Sequence, residues 1–240
     1  EGYNIGIVER LNGIRWNAWN TNYDVGGKYV VLKNKYPIIT TNIVKEKVKN
    51  SRGKLVTVSR QVVDQSKAEY YTYSPYSEAL HVQELVQLGK ENLKRLVDQS
   101  YDELRVRGVK SVAYPDRLIA DVDALKHEYF EILPIIEHAD MTEFTIDPVK
   151  TTERVLVLFG ANPAVAFSKT GSKAGAMGAL QYTNGTYKSM RKKYPAAQLN
   201  PDFERGTADH LNSMIAAILL HDYNLGVFMR AHGASIADSP

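Results

Sequence analysis

The spacing of apolar positions changes once along this chain. Up to residue 73, short β-rich runs (Tyr3 to Val8, Lys28 to Leu32, Pro37 to Thr41, Lys54 to Val63) alternate with turn signals at Gly26-Gly27 and Ser51-Arg52-Gly53. Residues 1–73 are therefore expected to form a small β-rich accessory domain. At Ser74-Pro75 the rhythm lengthens. A serine can cap a helix and proline suits its first position, and Leu85, Leu88, Leu93, Leu96, Val97, Tyr101 and Leu104 follow at helical spacing as far as Gly108. This predicts one long amphipathic linking helix within 74–114.

Beyond it, Leu118, Ile119, Val122, Leu125, Tyr129, Ile132, Leu133 and Ile136 keep returning to one side. Pro115-Asp116 should open that segment and Pro134 should kink it or mark a new helical turn. Further helices are expected from Pro148 to Phe159, Thr186 to Tyr194 and Phe203 to Phe228, the last rich in Ala, Ile and Leu and so the buried central helix. Residues 115–240 read as one mainly helical domain. The fold class is α+β.

Composition narrows the possibilities. With no cysteine among 240 residues, disulfides, thiol nucleophiles and Cys-based metal sites are excluded. No run of eighteen apolar residues offers a transmembrane span. The chain begins at Glu1 without a basic-then-apolar leader, as a processed, exported protein or a trimmed chain would. The net charge of +3 is unevenly placed: nine Lys/Arg lie between Lys28 and Arg60 against one acid, Glu46. Such a segment can attract nucleic acid, anionic lipid or an anionic wall polymer, or can be a solvated face whose lysines guard strand edges. No aromatic-basic interleaving accompanies it, so nucleic acid is not expected. His127 with His138 and His210 with His221 are each eleven apart and lack the i, i+4 spacing of a helical metal pair. No metal or cofactor is expected, and these histidines read as structural or surface groups. The cluster Tyr70, Tyr71, Tyr73 and Tyr76 suits packing at a domain junction or a sugar-stacking platform.

The richest stretch is Ser172 to Tyr187, SKAGAMGALQYTNGTY. Gly175, Ala176 and Gly178 are too small to cover the backbone, so a polymeric ligand can approach the main chain. Met177 and Tyr182 belong to the same candidate surface. Gln181 can bind sugar hydroxyls or hold the loop, and Thr186 can cap the next helix.

Ala174 to Gln181, followed by Thr186-Tyr187, resembles the G-A-x-G-L-M-Q…T-Y motif of the soluble lytic transglycosylase and goose-type lysozyme superfamily. Asn212 opens a helix as that family's N-I-x-x-G-x-x-Y-L segment does, with Ala216 in place of Gly and Leu219-Leu220 in place of Tyr-Leu. The resemblance spans roughly residues 123–225. It implies a lysozyme-like fold for 115–240 and peptidoglycan glycan strands as partner. Gly175, Ala176, Met177, Gly178, Gln181, Tyr182, Tyr187 and Asn212 become its substrate-binding candidates. The family's later A-Y-N-A-G motif does not occur before Pro240, so this domain is expected to stop short of full length.

In that family one glutamate ends an apolar helix just ahead of the Gly/Ala loop. Glu137, in Glu131-Ile132-Leu133-Pro134-Ile135-Ile136-Glu137-His138, holds the matching place. Apolar neighbours disfavour the charged form of a carboxyl and raise its pKa, as a glycosidic acid requires. Glu143 is the alternative acid; a helix inserted over 149–159 accounts for the distance from Glu137 to Gly175. The resemblance implies cleavage of the MurNAc-β-1,4-GlcNAc bond. Closure of a 1,6-anhydro ring needs one carboxyl group, whereas hydrolysis would draw a second from Asp140, Glu143 or Asp147. The resemblance also implies an exported protein, periplasmic, in the cell envelope or secreted. The other reading is a non-catalytic wall-binding or scaffold protein that keeps the fold without the full site.

Overall fold

The structure is a computed structural model that describes residues 14–16, 23–25, 34–38, 41–63, 69–73, 76–172 and 174–233. The expected strands Tyr3 to Val8 and Lys28 to Leu32, the Gly26-Gly27 turn and the Ser74-Pro75 start lie outside these residues. Among those described, a β-rich part precedes a mainly helical one, an α+β arrangement.

Three antiparallel two-stranded pairs make up the first part: β1 (Ile14–Trp16) with β2 (Tyr23–Val25), β3 (Asn34–Ile38) with β6 (Glu69–Tyr73), and β4 (Thr41–Lys49) with β5 (Leu55–Val63). The last pair runs in register from Thr41 opposite Val63 to Lys49 opposite Leu55. Its turn is the Ser51-Arg52-Gly53 signal. Gly53 adopts φ 71°, and Asn50 Oδ1 accepts from the Arg52 and Lys54 amides, both at 3.0 Å. β4 itself had no counterpart among the expected strands, because Glu46 interrupts the apolar row of Val44 and Val48 and leaves the alternation incomplete.

The helical part contains α1 (Gln83–Val106), α2 (His127–His138), α3 (Met141–Ile146), α4 (Pro148–Ala161), α5 (Asn184–Lys193), α6 (Phe203–Ala208) and α7 (His210–His232). α1 starts at Gln83, after a short 3-10 turn over Glu78–Leu80, rather than at Ser74-Pro75. It spans two apolar clusters: Val97, Tyr101 and Leu104 pack with α7, while Val86 and Leu93 pack with Val155 to Phe159 of α4. α1 and α4 meet through glycines. A Cβ on Gly89 would lie 2.0 Å from the Leu156 carbonyl oxygen, and one on Gly160 would lie 2.2 Å from that of Leu85. Any side chain there would force the helices apart.

The expected Phe203 to Phe228 helix is divided at Asp209, whose side chain accepts from the Asn212 amide and starts α7 afresh. Met214 to Leu219 of α7 are completely buried, as expected of a central helix. α7 is also tied by Asp222, whose buried carboxylate accepts from Ser111 Oγ, from the Val112 amide at 2.6 Å and from Tyr194 Oη at 2.7 Å.

Residues 115–126 are turns with a 3-10 segment at Ile119–Asp121, not helix. The helical phase therefore restarts at His127. Phe130 and Pro134, four apart, face inward, whereas Tyr129, Ile132 and Ile136 are 54, 49 and 64 % exposed. Pro134 sits inside α2, which continues through it to His138.

Candidate active site

The loop after α4 is shaped by hydrogen bonds and by two glycines with different duties. The Met177 and Tyr182 backbones exchange hydrogen bonds of 2.9 and 3.0 Å, pinching 178–181 into a tight turn. Gly178 (φ 81°) donates its amide to the Thr170 carbonyl at 2.8 Å, and a Cβ there would sit 2.2 Å from the Thr207 carbonyl oxygen. It is a packing glycine. Gly175 (φ 79°) has nothing within 4 Å of the same position and leaves its backbone face open. Of the two, Gly175 is the one that a ligand can approach. Ala176 is buried and Met177 half-buried.

Gln181 (φ 45°) directs its amide nitrogen to the Thr170 carbonyl at 3.2 Å and to that of Gly178 at 2.9 Å. Of its two expected uses, it serves to hold the loop. Thr186 is not the cap of α5; Thr183 is, accepting from the Thr186 amide.

The end of α2 is fastened to this turn through His138. Its Nε2 lies 3.0 Å from the Ala179 carbonyl oxygen and must carry the proton to bond it, while its ring stacks on Phe167 at 3.9 Å. Burial lowers the His138 pKa to about 4, so the ring is neutral near neutral pH. Behind it, His210 is buried between the carbonyls of Pro163 (3.0 Å) and Ala166 (2.8 Å). Of the two uses expected of His138, structural or surface, it takes the structural one. Its only signal was its place directly after Glu137.

Glu137 thus comes to the rim of the 175–182 loop. Its side chain reaches solvent, yet partial desolvation of the carboxyl raises its pKa above the ordinary value. It has no hydrogen-bond or ion-pair partner among the described residues. The flanking Ile136 is exposed and so contributes little to that desolvation. Tyr182 is 5 % exposed, and its hydroxyl also has no hydrogen-bond partner among the described residues. Burial raises the Tyr182 pKa, and the charge of Glu137 adds to this, so the phenol keeps its proton beside the carboxyl.

Tyr187 and Asn212 turn away from any ligand. Tyr187 is completely buried and donates to the Asn200 carbonyl at 2.9 Å. Asn212 donates to Tyr187 Oη at 2.8 Å and to the Gly206 carbonyl at 2.7 Å, and accepts from the Asn200 amide at 2.8 Å. With these bonds internal, the pair braces α5 against α7, and burial closes Tyr187, expected as a substrate contact, off from solvent.

The alternative acid sits differently. Glu143 accepts from Arg154 Nη1 at 3.2 and 3.0 Å. Two cavities of 260 and 230 Å³ share Glu143, Thr151 and Arg154 in their walls, the smaller reaching His138 and Phe167. Asp140 caps α3 by accepting from the Thr142 and Glu143 amides at 2.8 and 2.9 Å, and Asp147 caps α4 through the Lys150 amide at 2.9 Å. All three carboxylates suggested as hydrolytic partners thus have structural duties. Among the described residues no three His, Asp or Glu side chains converge as a metal site, and no helix is long and apolar enough to cross a membrane.

No protein-family model, curated protein or solved structure matches this chain.

Proposed function

We propose that this chain cleaves peptidoglycan glycan strands at the MurNAc-β-1,4-GlcNAc bond, with Glu137 as the single acid and base. One observation carries this reading: a carboxyl of raised pKa, without a counter-ion among the described residues, is held by the His138 to Ala179 hydrogen bond at the rim of a loop whose Gly175 backbone is open. A lysozyme-like arrangement of 115–240 and a cell-envelope location belong to the same proposal.

Glu137 donates its proton to the glycosidic oxygen as the C1–O bond breaks. The carboxylate then takes the proton of the muramoyl 6-hydroxyl, whose oxygen closes on C1 as the 1,6-anhydro ring. Tyr182 can donate a hydrogen bond to the carboxylate between those steps. The lytic route is favoured over hydrolysis because Asp140, Glu143 and Asp147 are committed to caps and to Arg154. Hydrolysis needs a second carboxylate free to activate water.

The test is incubation of the protein with purified peptidoglycan and mass spectrometry of the released products. Anhydro-muropeptides that disappear in Glu137→Gln are the expected result. Reducing ends would replace the lytic route by hydrolysis, and the absence of any product would leave the wall-binding reading in its place.

A further inference from the structure

The β4–β5 hairpin sorts its charges by face. In an antiparallel pair, directly opposed residues share a face and successive residues alternate between faces. The register therefore gathers Lys45, Lys47 and Lys49 on one side, opposite Ser59, Thr57 and Leu55. Val44, Glu46 and Val48 lie on the other, opposite Arg60, Val58 and Val56. Glu46, the one acid of the segment, is on the valine face and pairs there with Arg60 at 3.2 Å. The three lysines are exposed and have no ion-pair partner among the described residues. Arg52 and Lys54 at the turn are exposed as well and extend the positive charge.

We infer that the lysine face of this hairpin is a binding surface for a linear, phosphate-bearing wall polymer. Alternate strand residues recur about every 7 Å, so the lysines form a regularly spaced row of point charges along the strand. Two of its positions, Lys45 with Ser59 and Lys47 with Thr57, set a hydroxyl beside the ammonium. That pair of groups is a common contact for phosphate oxygens. Residues 44–60 contain no aromatic side chain, so a nucleic-acid strand would find no platform on which to stack its bases. The choice of a wall polymer also rests on the glycan-cleaving reading above, since a polymer beside the substrate would hold the protein against it.

The experiment titrates the full chain with purified poly(glycerol phosphate), and in parallel with a single-stranded oligonucleotide, duplex DNA and phosphatidylglycerol vesicles. Poly(glycerol phosphate) should bind most tightly, and its affinity should fall steadily with added salt. Combining Lys45→Gln, Lys47→Gln and Lys49→Gln should weaken it at least about tenfold, while Glu46→Gln with Arg60→Gln should leave it nearly unchanged. Failure of the wild-type chain to bind, undiminished binding by the triple variant, or tighter binding to either nucleic acid or the vesicles would overturn the inference. Cleavage of polymer-free peptidoglycan by the triple variant is measured alongside. Its retention separates a failure of this surface from a failure of the glycosidase reading.

Discussion

Glu137 closes α2 and Glu143 lies within α3, only six positions later, yet the two carboxyls have opposite surroundings. Glu143 borders two cavities and is gripped by Arg154; Glu137 reaches solvent near the 175–182 loop, partly desolvated and without a cation among the described residues. Proximity to a cavity alone would favour Glu143 over Glu137. Proton transfer depends instead on which carboxyl is free to reach a substrate, and Glu143 is held by an arginine at 3.0 Å. What a carboxyl touches therefore discriminates better here than how near a cavity it lies.

The largest expected effect falls on this contrast. Glu137→Gln should lower peptidoglycan cleavage by roughly a hundred- to ten-thousandfold without loss of the folded circular dichroism spectrum. Glu143→Gln should stay within about threefold of wild type, since an exposed ion pair contributes little. Comparable losses in both variants would erase the distinction.

Next in size is the loop that Glu137 faces. Gly178→Ala places a Cβ against the Thr207 carbonyl at a positive φ, and should destabilise the protein by about 3 kcal/mol in urea unfolding. Gly175→Ala, strained only by its φ, should cost about 1 kcal/mol. An equal cost at both positions would mean that the packing difference is not real.

His138 contributes a pH dependence. Its folded pKa of about 4 lies below the ordinary 6.5, so between these values the unfolded chain binds more protons. The stability is fully present above pH 6.5 and is lost as pH falls toward 4, by on the order of 3 kcal/mol. His138→Gln should flatten part of that slope in denaturation series taken across the window; an unchanged slope would place the titration elsewhere.

Tyr187→Phe should give the smallest change, about 1–2 kcal/mol of stability from two lost hydrogen bonds. KM for soluble glycan fragments should not move, because the hydroxyl faces Asn200 and Asn212. A raised KM would return Tyr187 to the substrate contacts.

The α+β class, the central helix and the Gly/Ala loop were legible in the sequence because each rests on local spacing or on small residues. The inward face of α2 was not. Its phase depends on turns at 115–126 that follow no periodicity, and the rows Tyr129, Ile132 and Ile136 and Phe130 and Pro134 are both helical in spacing. Gln181, Tyr187 and Asn212 were singled out by resemblance, and residue type could not say whether an amide or phenol faces a ligand or a neighbouring carbonyl. His138 takes the structural one of its two expected uses, through a hydrogen bond to Ala179 that spans 41 positions.

The most direct measurement of the Glu137 contrast is a carbon-13 NMR titration of its carboxyl in the full chain, assigned through Glu137→Gln. The account predicts a midpoint above the ordinary glutamate value of 4.5. A midpoint at or below that value would mean that a cation or hydrogen bonds already stabilise the carboxylate, and would contradict its role as the acid.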